Sequence, residues 1–395
     1  MKLSRYLLVS TVLTGSLLGV PTASAAATGW QVDLDRPGTG STNVATGPVR
    51  LGSDDNRAAS AGTATRTGMA VYPHTLAAPA GAFTATVDST VPDGAEVAVD
   101  VRGRTDGRWT EWAEIRPGAP GVLPVAAKDV EVRVVLSAPD GVPSPSVDAL
   151  TVTPVAGQRA PATPAGASYR VYATREGLVG HTTANGHKIV KRDHFVALPS
   201  RRGLSAKGSG EYSVRVCAAN GRCEWAPTWD VGPWNTRDDY WAAPGVRQQW
   251  ADLPQGKPAS QAAYEDGYNG GKDQFGRTVK NPAGIDLADG TFWDGLKLEN
   301  NAWVTVTYQW TGSHPHGFVQ TPGPALNVRP APNSDLPNVG LAAKHAQVRI
   351  ECSVAGEQVK GTQGTTNVWY RLAKGMFVSA AYVATTSGGK AVPPC

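Results

Sequence analysis

The residues best suited to chemistry lie at a turn in the middle of the chain, in the stretch WDVGPW at residues 229–234. Its carboxyl, Asp230, stands between Trp229 and Trp234, and apolar walls raise the pKa of a carboxylic acid because they disfavour the charged form. A carboxyl with a raised pKa can hold and exchange a proton at neutral pH. A structural interpretation carries equal weight, since an aspartate before x-Gly-Pro commonly accepts hydrogen bonds from the backbone of its turn.

Three histidines precede this turn, at His181, His187 and His194, with Asp193 among them. Such a group is compatible with a zinc peptidase. However, spacings of six and seven residues on a turn-rich segment do not match the i, i+4 pair that places two zinc ligands on one helix face. We therefore expect no metal site and no cofactor.

The chain opens with an export signal. Lys2 and Arg5 precede an apolar run from Tyr6 to Val20, and the small residues of ASA at 23–25 follow it, which is the order of a secretory signal peptide. The run falls short of the ~20 apolar residues that span a bilayer, and no later segment is long and apolar enough to insert. We expect cleavage of residues 1–25 and a secreted, extracellular protein with no membrane partner.

Composition favours strands over helices. Forty-five Gly and 30 Pro accompany many Val and Thr, a mixture typical of short strands and tight turns. Removal of the signal leaves 35 basic and 33 acidic residues. A charge this close to zero argues against a nucleic-acid partner. We expect an all-β protein that works as a monomer.

Four cysteines in an exported chain predict two disulfides. Between Cys217 and Cys223, a loop with Gly221 in the left-handed region would place the two cysteines directly opposite each other in a hairpin. The remaining pair, Cys352 and Cys395, would close a loop of about 44 residues. A zinc site is the alternative, but C-x5-C without a second close pair of ligands has poor spacing.

Two stretches rich in Pro, Ala and Gly, residues 155–168 and 313–324, lack apolar alternation and are typical of linkers. They divide the mature chain into three modules, at residues 29–154, 169–312 and 325–395. We expect these modules to fold in tandem.

The first module alternates apolar and polar residues at 95–102 and 130–136, the pattern of half-buried antiparallel strands. Its GRWTEW and PSPSV stretches, residues 107–112 and 143–147, resemble the β-sandwich modules that precede secreted wall amidases and peptidases. Trp109 and Trp112 fit either a core or a platform for sugar rings. The module shows no catalytic constellation.

The last module contains LNVR at 326–329, NVWYRL at 367–372 and MFVSAAYV at 376–383, before a terminal cysteine. Over nearly its full length it resembles a bacterial SH3-type domain. This resemblance implies a small β-barrel that holds a protein on peptidoglycan. Trp369 is expected in its core, and Tyr370 and Tyr382 are candidates for a ligand groove.

The central module presents five elements in a recognisable order: TTANG at 182–186, a histidine before LP, VRV at 214–216, DVGP at 230–233 and IDL at 285–287. This succession resembles the double-psi β-barrel of the rare lipoprotein A family, which includes the barrels of expansins. The resemblance implies six strands. It also implies kinship with lytic transglycosylases, which break peptidoglycan strands without water and leave an anhydro sugar end.

The resemblance assigns roles to individual side chains. Asp230 matches the family's aspartate, which would protonate the glycosidic oxygen and then accept a proton from the attacking sugar hydroxyl. His194 matches a second polar position, where it would bond this carboxyl or a substrate acyl group. Asp286 is expected to satisfy backbone amides in a barrel turn.

The chain also departs from the family. Val231 replaces a usual arginine, the histidine lies one residue further from LP, and residues 235–283 are inserted. The insertion is rich in acids and aromatics, which would line a glycan cleft or form a lid without a chemical role. Tyr240 and Trp241 are its candidate substrate contacts.

Together these patterns predict a secreted, wall-associated protein whose partner is peptidoglycan or another wall glycan. Cleavage of the glycan strand in the manner of a lytic transglycosylase is the first expectation. An expansin-like protein that binds or loosens glycan without cutting it is the main alternative, and a scaffold or adhesin that only binds is another.

Overall fold

The computed structural model describes residues 28–53, 65–157, 159–312, 314–385 and 391–395. The export signal predicted at residues 1–25 lies outside these ranges. Strands dominate what is described, so the all-β prediction is confirmed. Within the same ranges, no helix is long and apolar enough to cross a membrane.

The first module is built on one sheet. Its described strands are β1 (Trp30–Gln31), β2 (Val44–Ala45), β3 (Val49–Leu51), β4 (Thr65–Thr90), β5 (Glu96–Thr105), β6 (Arg108–Trp109), β7 (Ala113–Ile115), β8 (Gly121–Pro139) and β9 (Ser146–Pro154). They are ordered β2-β3-β9-β4-β8-β5-β6, with β1 beside β9 and β7 beside β5.

Strand β4 gives this sheet its curvature. Its first part pairs with β8, whereas its second part pairs with β9 as well, and register shifts between Thr75 and Ala82 separate the two parts. Such irregularities bend a strand. The inward side chains, among them Phe83, Leu123 and Val132, consequently share one core.

The central module is a closed barrel. Its strands are β10 (Ser168–Arg175), β11 (Val196–Leu198), β12 (Ser213–Cys217), β13 (Cys223–Val231), β14 (Ala283–Leu287) and β15 (Ala302–Tyr308). The order is β11-β14-β10-β15-β12-β13, and β13 closes the ring by pairing with β11. The pairs β10–β14 and β11–β13 are parallel and the others antiparallel. This closed, mixed barrel is consistent with the double-psi topology.

The segment between β13 and β14 contains helix α1 (Ala259–Asp266), and short helical turns occur at Arg201–Gly203, Tyr268–Gly271, Thr291–Gly295 and Ala380–Tyr382. Inside the barrel, apolar side chains such as Val171, Val214 and Ile285 are fully buried. The alternation of these strands leaves the intervening residues on the outer face of the barrel.

The C-terminal strands do not form a separate body. They are β16 (His316–Val319), β17 (Ala325–Val328), β18 (Gly340–Ala343), β19 (Gln347–Arg349), β20 (Cys352–Gly361), β21 (Gly364–Ala373), β22 (Met376–Ser379) and β23 (Val383–Thr385). Strand β18 pairs with β13, so β17 and β18 extend the barrel sheet. The other strands form two three-stranded sheets, β19-β16-β23 and β20-β21-β22.

The two expected linkers are built into this packing. The stretch 313–324 contains β16, and in 155–168 the Ala160 amide donates to the Leu123 carbonyl. The Gly166 amide donates to the Thr311 hydroxyl at 3.0 Å. These hydrogen bonds join the modules, which a composition rich in Pro and Ala does not reveal.

Both predicted disulfides are confirmed, Cys217–Cys223 and Cys352–Cys395. Cys217 and Cys223 lie directly opposite each other where β12 meets β13. The second bond ties the terminal residue to the start of β20.

Because a disulfide stabilises mainly by restricting the unfolded chain, the longer loop is expected to matter more. Replacing Cys352 and Cys395 together by Ser should lower the free energy of unfolding by about 4 kcal/mol, against about 2 kcal/mol for the double replacement of Cys217 and Cys223. Denaturant titration of the two variants measures this difference. A larger loss in the hairpin variant would contradict the prediction.

Candidate functional site

A row of polar positions crosses the outer face of the barrel at its parallel strands. Thr174 of β10 lies opposite Asp286 of β14, Asp286 lies opposite Ala197 of β11, and Ala197 lies opposite Asp230 of β13. Residues directly opposite each other on neighbouring strands share a face of the sheet. The barrel therefore brings Asp230 and Asp286 to one surface, on either side of a small alanine.

Glu176 completes this carboxyl row. It follows β10 directly, and its amide donates to the Leu287 carbonyl at 2.9 Å, which fixes it beside the end of β14. Both carboxyl oxygens of Glu176 are buried, and the side chain shares a hydrogen bond with Asp230. Burial raises the pKa of Glu176 well above its usual range, and the nearby charges of Asp230 and Asp286 raise it further.

Two carboxyl groups can share a hydrogen bond only when one of them carries a proton. The raised pKa of Glu176 favours the protonated form of its carboxyl, so the pair holds this proton more tightly than a free carboxyl does. The pKa of Asp286 is also raised, to about 7, first by burial and then by the charge of Asp230, against the effect of a hydrogen bond from the Thr174 hydroxyl. The row thus holds exchangeable protons in the range where acid/base chemistry operates.

The turn TTANG, residues 182–186, holds the Asp230 side chain in place through a backbone amide. The Ala184 amide donates to Oδ1 of Asp230 at 2.8 Å, and the same oxygen accepts from the Val231 amide at 2.8 Å. Gly186 has a φ of 85° and lies so close to Thr42 of the first module that a Cβ would clash with it. The turn and the DVGP element therefore meet at Asp230, which lies 46 residues after Ala184 in the sequence and has no exposed surface.

The two tryptophans beside Asp230 in the sequence are held by other partners. Trp229 is buried, donates from Nε1 to the Ser209 carbonyl at 2.7 Å and packs on His187. Trp234 is half-buried and donates to Asn281 Oδ1 at 3.1 Å. Strand β13 also has a bulge at Trp229. The consecutive residues Val196 and Ala197 of β11 pair with Thr228 and Asp230 of β13, so Trp229 is the additional residue between them.

His194 lies with another carboxylate. Its Nδ1 is 2.9 Å from Oε1 of Glu224, which also accepts from the Thr291 hydroxyl. Burial lowers the pKa of His194, but the Glu224 charge outweighs this effect and the net shift is upward. Glu224 and Asp230 stand six residues apart on β13, which is about 20 Å along an extended strand. His194 is therefore held by Glu224, and this contact does not connect it to the carboxyl row of Asp230, Asp286 and Glu176.

The other candidate histidine, His187, bonds Asp193 through Nε2 at 2.8 Å. Across the described ranges no three His, Cys, Asp or Glu side chains are arranged to hold a metal ion, those of His181, His187 and His194 included.

Tyr240 and Trp241 belong to the core. Both are fully buried, and Trp241 donates from Nε1 to Glu111 of the first module at 3.0 Å. The inserted segment thus serves packing between modules here, and we leave both rings out of the candidate site. Tyr370 is half-buried on β21, far along the chain from the carboxyl row, with Trp369 buried beside it.

Glu176 is the site residue that sequence reasoning missed. It stands in the stretch REG at 175–177, which carries no motif of its own. Its position follows from the parallel pairing of β10 with β14, a contact between strands more than 100 residues apart. The available signal was a carboxylate directly after the strand-like stretch SYRVYATR at 168–175.

The raised pKa of Asp286 predicts a dependence of stability on pH. Its folded-state pKa of about 7 lies above its ordinary value of 3.8, so its contribution is full below about pH 4 and is lost as the pH rises through 7. Relative to Asp286→Asn, the free energy of unfolding of the parent should fall between pH 4 and 7, by at most ~1.4 kcal/mol per pH unit. Chemical denaturation across this range measures it.

Asp93→Asn is the matched control, because Asp93 is exposed in the first module and this variant should follow the parent at every pH. Parallel pH curves for the parent and Asp286→Asn would contradict the assignment.

Comparisons with known proteins bear on the barrel. A family model described as a domain of unknown function (DUF8814) matches residues 167–307, which include the six barrel strands, except for the last residue of β15, and the inserted segment. A search of curated proteins finds no match. The barrel with its insertion is thus similar to that family, whose description assigns no activity.

Proposed function

We propose that this chain is exported, binds cell-wall glycan and cleaves the strand through the Glu176–Asp230 pair, without water, as a lytic transglycosylase does. The observation that carries this proposal is the hydrogen bond between the buried Glu176 and Asp230 carboxyls, which requires a proton on one of them, at the point where the TTANG and DVGP elements meet. A carboxylic acid that stays protonated at neutral pH is the donor that a glycosidic oxygen requires.

Within the pair we assign proton delivery to Glu176 and positioning to Asp230. Two amides fix Asp230 in place, whereas the buried carboxyl oxygens of Glu176 accept no amide or hydroxyl hydrogen bond within the described residues. Glu176 would protonate the glycosidic oxygen as the bond to the sugar breaks. It would then take the proton of the sugar hydroxyl that closes the anhydro ring, which restores the acid.

A second function is favoured by the complete burial of Asp230. A site whose carboxyls are covered in the resting protein also fits an expansin-like binder, in which the pair only holds the TTANG turn against the barrel. In that case the glycan is bound and no bond is broken.

Incubation of the mature protein with purified peptidoglycan separates these functions. Soluble anhydro-muropeptides, identified by mass spectrometry, are the expected result. Fragments with reducing ends would replace the proposal by a hydrolase. Protein that pellets with the wall and releases nothing would support the binder, and protein that neither pellets nor releases fragments would contradict both.

A further inference from the structure

A cleft opens where the three modules meet, away from the carboxyl row, and we call it the junction cleft. Its cavity has a volume of about 530 Å³. The first module contributes Arg104 and Trp109, the barrel contributes Lys207 and Ser209, and the C-terminal strands contribute Phe318 and Gln347. The cleft exists only because the modules are packed together.

A second cavity, of about 390 Å³, adjoins the first. Both are lined by Arg108, Trp109, Trp310 and His316, which form the partition between them. Two chambers on either side of a shared wall suit a chain of several linked units better than one small molecule. The half-buried indole of Trp109 in this wall suits the flat face of a sugar ring, whereas Trp310 is buried and only backs the wall.

The junction cleft carries excess positive charge. Arg102 is paired with Glu131 at 2.7 Å and with Glu211 at 3.0 Å, so these three groups together leave one negative charge, which the three further cations of the cleft outweigh. Arg104 and Lys207 are exposed at the rim, and within the described residues neither takes part in an ion pair.

Arg108 adds a third cation in the partition. It donates to the backbone carbonyls of Gly312 and His314, which are neutral partners. Burial and the charge of Arg349 lower its pKa to about 10, which still leaves it charged at neutral pH. Asp106 in the second chamber is the opposing carboxylate.

The histidines of the two chambers add no charge. Burial, with the charge of Arg108 acting in the same direction, lowers the pKa of both His314 and His316 to about 4. Glu111, also in the second chamber, is bound by Arg202 at 2.7 Å. The unpaired charge of the junction cleft is therefore cationic and is carried by arginine and lysine.

We propose that the junction cleft binds a glycan strand that carries carboxylates on its sugars, with a sugar ring against Trp109 and the carboxylates toward Arg104, Lys207 and Arg108. This proposal rests on the proposed function, because glycan binding is common to both of its versions, and it locates that binding in the junction cleft. Carboxylate-bearing sugars are favoured over a polyol phosphate chain, because such a chain has no ring to lie against Trp109.

The test measures binding of soluble, peptide-stripped peptidoglycan strands to the full mature chain with Glu176→Gln, so that no strand is cut. The matched ligand is the same strand with its carboxylates amidated. In this background, Arg104→Glu with Lys207→Glu should weaken binding of the acidic strand about tenfold or more, through like-charge repulsion, and should leave the amidated strand unaffected.

Two further variants complete the design. Arg50→Glu with Lys374→Glu makes the same change in net charge at exposed positions that do not line the cleft, and it should bind as the parent does. Thr39→Trp places a large ring at an exposed lining position and should weaken both ligands.

The outcomes distinguish the two proposals. Binding by the parent that neither cleft variant changes would overturn the junction cleft while leaving glycan binding intact. An equal loss of binding in the control variant, Arg50→Glu with Lys374→Glu, would mean that net charge alone causes the effect. This result would also overturn the junction cleft as the binding site. Binding of poly(glycerol phosphate) in preference to the acidic strand would contradict the ligand class, and no binding of strands or whole wall by the parent would defeat the proposed function itself.

Discussion

Glu176→Gln is expected to lower the release of soluble glycan fragments by about two to four orders of magnitude. Glutamine keeps the shape of the side chain, and its amide can donate to Asp230 in place of the lost proton. It cannot protonate a glycosidic oxygen. Mass spectrometry of fragments released from purified peptidoglycan measures the loss, and a normal melting curve shows that the fold is kept.

Asp230→Asn tests the other member of the pair. Its Oδ1 can still accept from the Ala184 and Val231 amides, so the turn should stay in place. We expect a large loss of fragment release here as well, because Asp230 no longer shares the proton of Glu176.

The matched control is Asp289→Asn. Asp289 lies close enough to raise the pKa of Glu176 electrostatically, but its own hydrogen bond is with Arg175 at 2.8 Å. Removing its charge changes the local field without touching the pair, so most of the activity should remain. Full activity of folded Glu176→Gln would end its assignment as the proton donor.

Glu111→Ala is expected to produce the largest loss of stability of any single replacement considered, about 3–5 kcal/mol. The Glu111 carboxylate accepts from Arg202 Nε at 2.7 Å and from Nε1 of Trp241 and Trp310 at 3.0 and 2.8 Å. All four residues are at least nine-tenths buried. Removal of the carboxylate leaves a buried guanidinium with a weakened partner and two indole N–H groups without one.

The surface replacement Glu351→Ala is the control for this effect. Glu351 pairs with Arg371 at 2.9 Å, and both side chains are well exposed, so its loss should cost at most about 1 kcal/mol. Denaturant unfolding of the two variants gives the comparison. Equal, small effects would mean that the Glu111 cluster does not hold the modules together.

The cluster around Glu111 also explains why the inserted segment differs from its expected role. Residues rich in aromatics and acids suit a glycan cleft, and the same residues suit a buried polar interface. Trp241 is drawn into the core because an acceptor from a different module, Glu111, satisfies its indole N–H. Composition of one segment carries no information about that acceptor.

The sequence by itself determined the features that depend on neighbouring residues. A glycine-containing loop set Cys217 opposite Cys223, and pairing the remaining cysteines gave the second disulfide. Alternating apolar residues and abundant turn formers determined an all-β fold. The order of short motifs also predicted the closed six-stranded barrel, through its resemblance to a known family of barrels.

Only the tertiary structure decided which carboxyls share a proton and where the modules touch. The parallel pairing of β10 with β14 brings Glu176 to Asp230, and a bulge at Trp229 alters the regular alternation of side chains there. His194 lies with Glu224 because of how its loop packs against β13. These contacts join residues that are 30 to 110 positions apart. They are fixed by the packing of the whole chain, and local sequence patterns carry no information about that packing.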